Sequence, residues 1–167
     1  MSEASINNLL LSLCRNDQEE ELEQLLEENE DCDVNHADGA GNTAAHYAAK
    51  AGAIGCLEIL VNHDDINLDI QNRLEGDTPL HKAVLYQVQD HEMAVAMVEI
   101  LLMGGADPRL MNRNKLTPAM LVNQKYKDIK DMLEEATVSY GMDDSDIAQE
   151  DDSGSEIPEG EEVSDSD

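Results

Sequence analysis

The residues able to do chemistry are five histidines, three cysteines and 38 carboxylates. The histidines stand at His36, His46, His63, His81 and His91, the cysteines at Cys14, Cys32 and Cys56. A structural zinc site draws on about four ligands in short paired spacings. The nearest approach is the lone pair Cys32-x-x-x-His36. There is no GxxxxGK[ST] phosphate loop and no G-x-S-x-G nucleophile elbow. The Gly-rich stretch DGAGN (38–42) joins a turn to a helix start, which is a weak nucleotide signal. The carboxylates fall on polar helix faces and in the last stretch of chain, where water keeps them charged. These patterns predict a protein that is not an enzyme and takes no metal and no cofactor.

Two histidines share a setting. Residues 75–85 read EGDTPLHKAVL, and 43–48 read TAAHYA. Thr78 can cap a helix by accepting a backbone N–H. Pro79 then falls at the first helical position, where its missing donor is harmless. Leu80, Ala83 and Val84 make one apolar face. His81 has two ring nitrogens and can bridge Thr78 to a carbonyl of a neighbouring loop. Thr43 and His46 repeat the arrangement. A pair in equivalent positions is expected to build scaffold, not to catalyse.

The elements that must position these residues recur. Thr43, Thr78 and Thr117 each open a short helical pattern, and an apolar helix follows each: CLEILV (56–61), MAVAMVEILLM (93–103) and IKDMLEE (129–135). INNLLLSLC (6–14) and EEELEQLLEENE (19–30) keep the rhythm without the threonine. Helix pairs at a fixed period signal a stacked solenoid. With TPLHKA at 78–83, TAAHYA at 43–48, TPA at 117–119 and GGADPR after the third pair, the chain resembles the ankyrin repeat. The resemblance covers residues 3–136. It implies an all-α ankyrin-repeat solenoid of about four helix pairs with hairpin loops, bounded roughly at 3–34, 35–67, 68–107 and 108–136. It also implies structural roles for Thr43, His46, Thr78, Pro79, His81 and Thr117. Met120 stands where the fourth repeat would carry histidine, so its first helix is expected to rest on apolar packing alone and to be the softest. LYQVQDHE (85–92) is longer than the family's tight turn and predicts either an extended helix or a protruding loop.

Charge narrows the partners. Ten Lys and Arg face 38 Asp and Glu, a formal net charge of −28. Twelve of those acids lie in 142–167, leaving 26 acids and ten bases before them. Nucleic-acid binding relies on cations neutralising phosphates, so no direct nucleic-acid contact is expected, nor an anionic membrane surface. A basic protein is the electrostatic complement. Residues 137–167 hold too few apolar groups for a core and are expected to form a disordered acidic tail. Ser153 and Ser164, each with an acid three residues on, suit an acid-directed kinase. The N-terminal MSEASINN lacks a signal pattern, and no apolar run reaches membrane-spanning length. Three cysteines without a framework spacing fit a reducing compartment, cytoplasm or nucleus.

A short solenoid offers its first helices and loop tips to a protein partner. The tips read HADGAGN (36–42), QNRLEGD (71–77) and MNRNK (111–115). Candidate contact residues are therefore Asp38, Asn42, Asp77, Arg113 and Lys115 on the tips, with Tyr47, Lys50, Lys82, Tyr86 and Asn123 on the helices. The expectation is a non-enzymatic binding protein, monomeric when free. One reading is a chaperone or escort shielding a basic client such as a ribosomal protein or histone. In overall plan the chain resembles small fungal ankyrin chaperones of basic ribosomal proteins, a likeness of architecture. The alternative is a regulatory or scaffolding adaptor that binds through the groove, with the tail incidental.

Overall fold

The computed structural model describes residues 2–148, with side chains through Gly141. Seven α-helices run α1 (Glu3–Arg15), α2 (Glu19–Glu28), α3 (Ala44–Ala51), α4 (Ile54–Val61), α5 (Pro79–Leu85), α6 (His91–Met103) and α7 (Lys127–Ala148). Two short 3₁₀ turns, Tyr86–Val88 and Pro118–Leu121, complete the described elements. Each α-helical pair stacks on the next. α1, α3, α5 and the Pro118–Leu121 turn form one row; α2, α4, α6 and α7 form the other.

Local sequence starts the helices. Ser2 caps α1, and Thr43 and Thr78 cap α3 and α5 through full capping boxes with His46 and His81. Such caps satisfy N–H groups that a helix start leaves unpaired. Gly52 ends α3 in the left-handed conformation, φ 72°. The core between the rows is aliphatic: Leu10, Leu22, Leu57, Leu60, Leu80, Met97, Leu101, Ile129 and Leu133 are fully buried. Small residues Ala44, Ala45, Ala48 and Ala49 along α3 let neighbouring helices approach closely.

The loops between pairs project as fingers and ladder onto one another. Arg73 N–H donates to the Ala40 carbonyl at 2.9 Å, and Arg113 N–H to the Glu75 carbonyl at 2.9 Å. A Cβ on Gly41 would lie 2.6 Å from Arg73 N, so the finger crossing admits only glycine there.

The fourth pair departs from expectation. Thr117 makes no side-chain cap, and Pro118–Leu121 closes as one 3₁₀ turn instead of an α-helix. Met120 is exposed and supplies no partner for Thr117. Nor does apolar packing act alone. Gln87 is buried and grips this segment from repeat three: its Nε2 donates to the Leu121 carbonyl at 2.8 Å, and its Oε1 accepts from Asn123 N–H at 2.9 Å. The long 85–92 connection is thus an extension of α5 by a 3₁₀ turn, after which Asp90 caps α6.

The last helix continues past residue 136 to Ala148. Tyr140 lies under the Arg109 guanidinium, 4.6 Å from its ring centre, and His91 stacks on Tyr126 at 4.1 Å near the start of α7. The tail expected from 137 therefore begins as helix; 149–167 lie outside the described residues.

Candidate functional site

The candidate site is the face where the fingers meet the first row. The fingers are tied to that row by side chains. Tyr47 of α3 donates its hydroxyl to Asp38 of the first finger. Burial raises the Asp38 carboxyl, but Tyr47 and the backbone N–H groups of Asn42 and Ala40 outweigh it, so the group sits below the usual carboxylate range. The Arg15 guanidinium lies 5.3 Å from the Tyr47 ring centre. One repeat on, Lys82 of α5 bonds Glu75 at 2.9 Å and approaches Asp77 at 3.5 Å. The Lys82 ammonium, with Asn72 and Lys50 adding to it, holds the Glu75 carboxyl low.

The sequence candidates divide sharply. Asp38 accepts from Ala40 and Asn42 N–H and so shapes its own finger. Asn42 accepts from Asn72 Nδ2 of the next finger at 2.9 Å. Asp77 is only 3% exposed; it accepts from Asn112 Nδ2 and its carbonyl meets His46. All three take part in the scaffold's hydrogen bonds; Asp77 is buried, while Asp38 and Asn42 stay half-buried. Lys50, Arg113, Lys115 and Asn123 are exposed, and Lys82 and Tyr86 are half-buried. Tyr86 also packs against the Gly52 backbone, where a Cβ would meet its ring at 2.6 Å.

Sequence reasoning placed Val88 at the groove edge or on a loop but missed two further exposed apolar residues, Leu74 and Leu85. Leu74 at the second finger tip is 75% exposed, Val88 84% and Leu85 40%. The signal lay in QNRLEGD, where a lone leucine sits among polar residues in a loop. Lys50, Lys82, Leu85, Tyr86 and Gln89 line a shallow pocket of about 170 Å³. It is open and has no paired nucleophile and base.

Elsewhere the titratable groups serve the fold. His46 and His81 are buried in their caps. The Cys14 thiol is pushed well up by the neighbouring Cys56 thiol and by burial, and all three cysteines are free. Among the described residues no three His, Cys, Asp or Glu side chains gather as a metal site, and no helix is long and apolar enough to cross a membrane.

Stacked helix pairs, Thr–His caps and laddered fingers coincide with a match to ankyrin repeats, in three copies, over residues 10–98. The chain belongs to the ankyrin-repeat family. Its ankyrin segment is 36% identical over 101 residues to the ankyrin repeat-containing protein YGL242C of Saccharomyces cerevisiae, covering 59% of this chain and 56% of that protein. It is 37% identical over 92 residues to human BCL-6 corepressor-like protein 1, covering 54% of this chain and 5% of that protein. It is 30% identical over 102 residues to human transient receptor potential cation channel subfamily A member 1, covering 59% of this chain and 8% of that one. The match thus spans little more than half of the yeast relative and small parts of the human ones. Ankyrin repeats of this kind are protein–protein interaction modules, and the fold is that of a non-enzymatic scaffold.

Proposed function

We propose that the protein holds a segment of a protein partner across its finger tips and first-row helices, acting as an adaptor or escort. One observation carries this reading. Leu85 and Val88 are exposed next to Tyr86, and Leu74 is exposed at the second finger tip; the other exposed large apolar groups among the described residues are Met103, Met111, Met120 and Val138. Exposed apolar groups rimmed by polar ones mark interaction surfaces, and a tyrosine supplies both contact area and a hydroxyl. Affinity capture from an extract of the native cell, with the native chain beside a Leu74→Ser/Tyr86→Ala variant, tests it. Partners held by the native chain and lost from the variant support the groove. An identical set from both would remove it.

A second reading keeps the basic client. Its support is the net charge of −28 and the six glutamates of α2. A ribosomal protein or histone would be shielded by acidic groups of α2 and of 142–167 until it reached RNA or DNA. Such attraction weakens as the Debye length falls from about 10 Å at 0.1 M salt to about 3 Å at 1 M. Partner dissociation indifferent to salt, and to Glu19→Gln/Glu20→Gln/Glu23→Gln, would defeat this reading and leave the adaptor. On either reading the free protein is a monomer, checked by sedimentation. The three free cysteines support a reducing compartment, cytoplasm or nucleus.

A further inference from the structure

The two helix rows carry opposite charge. In the first row, α1, α3 and α5 hold Arg15, Lys50 and Lys82 and a single acid, Glu3. In the second row, α2, α4 and α6 hold nine glutamates and no lysine or arginine, and α7 adds Lys127 and Lys130 among Asp128, Asp131, Glu134 and Glu135. The finger tips add Arg73, Arg113 and Lys115, all exposed, beside the acids Asp38, bonded to Tyr47, and Glu75, bonded to Lys82. Within 4 Å no carboxylate of the described residues pairs with Lys50, Arg73, Arg113 or Lys115, whereas Lys82 is already shared between Glu75 and Asp77. A protein of net charge −28 therefore turns an unpaired cationic and apolar face toward whatever enters its groove.

From this segregation we infer that the groove takes an acidic segment of a partner protein with apolar residues interspersed, its carboxylates meeting Lys50, Arg73 and Arg113 and its apolar side chains meeting Leu74, Leu85 and Tyr86. The inference rests on the groove being the working surface. Charge complementarity selects the occupant. At about 0.15 M ionic strength the screening length is about 8 Å, and a helix with its side chains is about 10–12 Å across. A bound segment thus feels the nearby cations more than the glutamates of the far row. Lysine-rich segments meet like charge at Lys50, Arg73 and Arg113, none of them in an ion pair within 4 Å among the described residues, which is costly in a contact. Arg73 and Arg113 use only their backbone N–H groups in the finger ladder, so their guanidinium groups can fork onto carboxylates without disturbing it.

The test is selection of random 12-residue peptides on the immobilised full chain at 0.15 M salt. Enriched peptides should combine Asp or Glu with Leu, Ile or Phe. Their affinity should fall at least tenfold in Lys50→Glu/Arg73→Glu/Arg113→Glu, and separately in Leu74→Ser, with circular dichroism showing both variants folded. Enriched peptides that are basic or uncharged, yet still lost in Leu74→Ser, would overturn the acidic occupant while leaving the groove as the binding surface. Peptides indifferent to both variants, or no enrichment, would overturn the groove itself. If acidic peptides bind only after Glu150, Glu156, Glu159, Glu161 and Glu162 are changed to Gln in the full chain, the occupant is the chain's own end. Self-association abolished by the charge reversal would assign the face to a second copy. Either of these last results overturns the partner segment.

Discussion

His46 Nε2 lies 2.8 Å from the carbonyl oxygen of Asp77, 31 residues further along the chain. His81 repeats the relationship with the Leu116 carbonyl at 2.9 Å, 35 residues on. In each ring Nδ1 accepts from the threonine N–H, at 3.0 Å for Thr43 and 3.1 Å for Thr78. The proton therefore sits on Nε2, which donates to the next repeat. One side chain closes a helix cap and staples two repeats together.

Removing either ring should destabilise the fold. His46→Ala or His81→Ala leaves a buried threonine N–H without its ring partner and removes one of the two hydrogen bonds of the Asp77 or Leu116 carbonyl, which keeps only Asn72 or Asn112 N–H; such losses cost about 1–3 kcal/mol. Urea midpoints should fall in both variants. Midpoints equal to the native one would refute the stapling role.

The same rings should make stability depend on pH. Burial lowers both histidines below their ordinary 6.5, only partly offset by the Asp77 and Leu116 carbonyls they meet. Below pH 6.5 the unfolded chain binds protons that the folded chain refuses. Stability is therefore complete above that point and declines as pH falls through it, by up to about 1.4 kcal/mol per pH unit for each histidine. The lowered carboxyls of Asp38 and Glu75 add their loss only near pH 4 and below, roughly at the unfolded carboxylate range. The melting temperature should drop between pH 7.5 and 5.5, and the slope should flatten in His46→Gln/His81→Gln. A flat native profile over that interval would contradict this account.

Gln87 should matter most to the fourth repeat. Gln87→Ala frees the Leu121 carbonyl and Asn123 N–H together. Hydrogen exchange should speed up over residues 117–126 well before it does in α3 or α5, with a global loss of about 1–3 kcal/mol. Uniform exchange across the chain would place the clamp elsewhere.

Gly52 and Gly39 offer a matched comparison. A Cβ on Gly52 meets the Tyr86 ring at 2.6 Å and must adopt φ 72°, while a Cβ on Gly39 meets nothing within 4 Å. Gly52→Ala should destabilise by more than about 1 kcal/mol, and should shift the Tyr86 ring resonances in an NMR spectrum. Gly39→Ala should do neither. Equal melts for the two variants would show that Tyr86 yields freely.

Much of this protein was settled within a few residues of chain. A cap joins residues three positions apart and an apolar helix face repeats every three or four. Thr43, His46, Thr78, Pro79 and His81 could therefore be placed by spacing, as could the leucines of α1 and α2. The repeat period and the net charge of −28 also needed nothing but the sequence. The stacking of repeats decided the rest, because it joins residues about thirty to forty positions apart that no local period relates. Stacking buried Asp77, which its loop position had marked as a contact, and sent Gln87 into the fourth repeat. The single 3₁₀ turn after Thr117, by contrast, has a local cause, since Met120 brings no nitrogen to the cap. Stacking also sorted the charge. From α1 to α6 alternating helices pack into separate rows, so acids and bases that alternate along that stretch end on different faces of the fold.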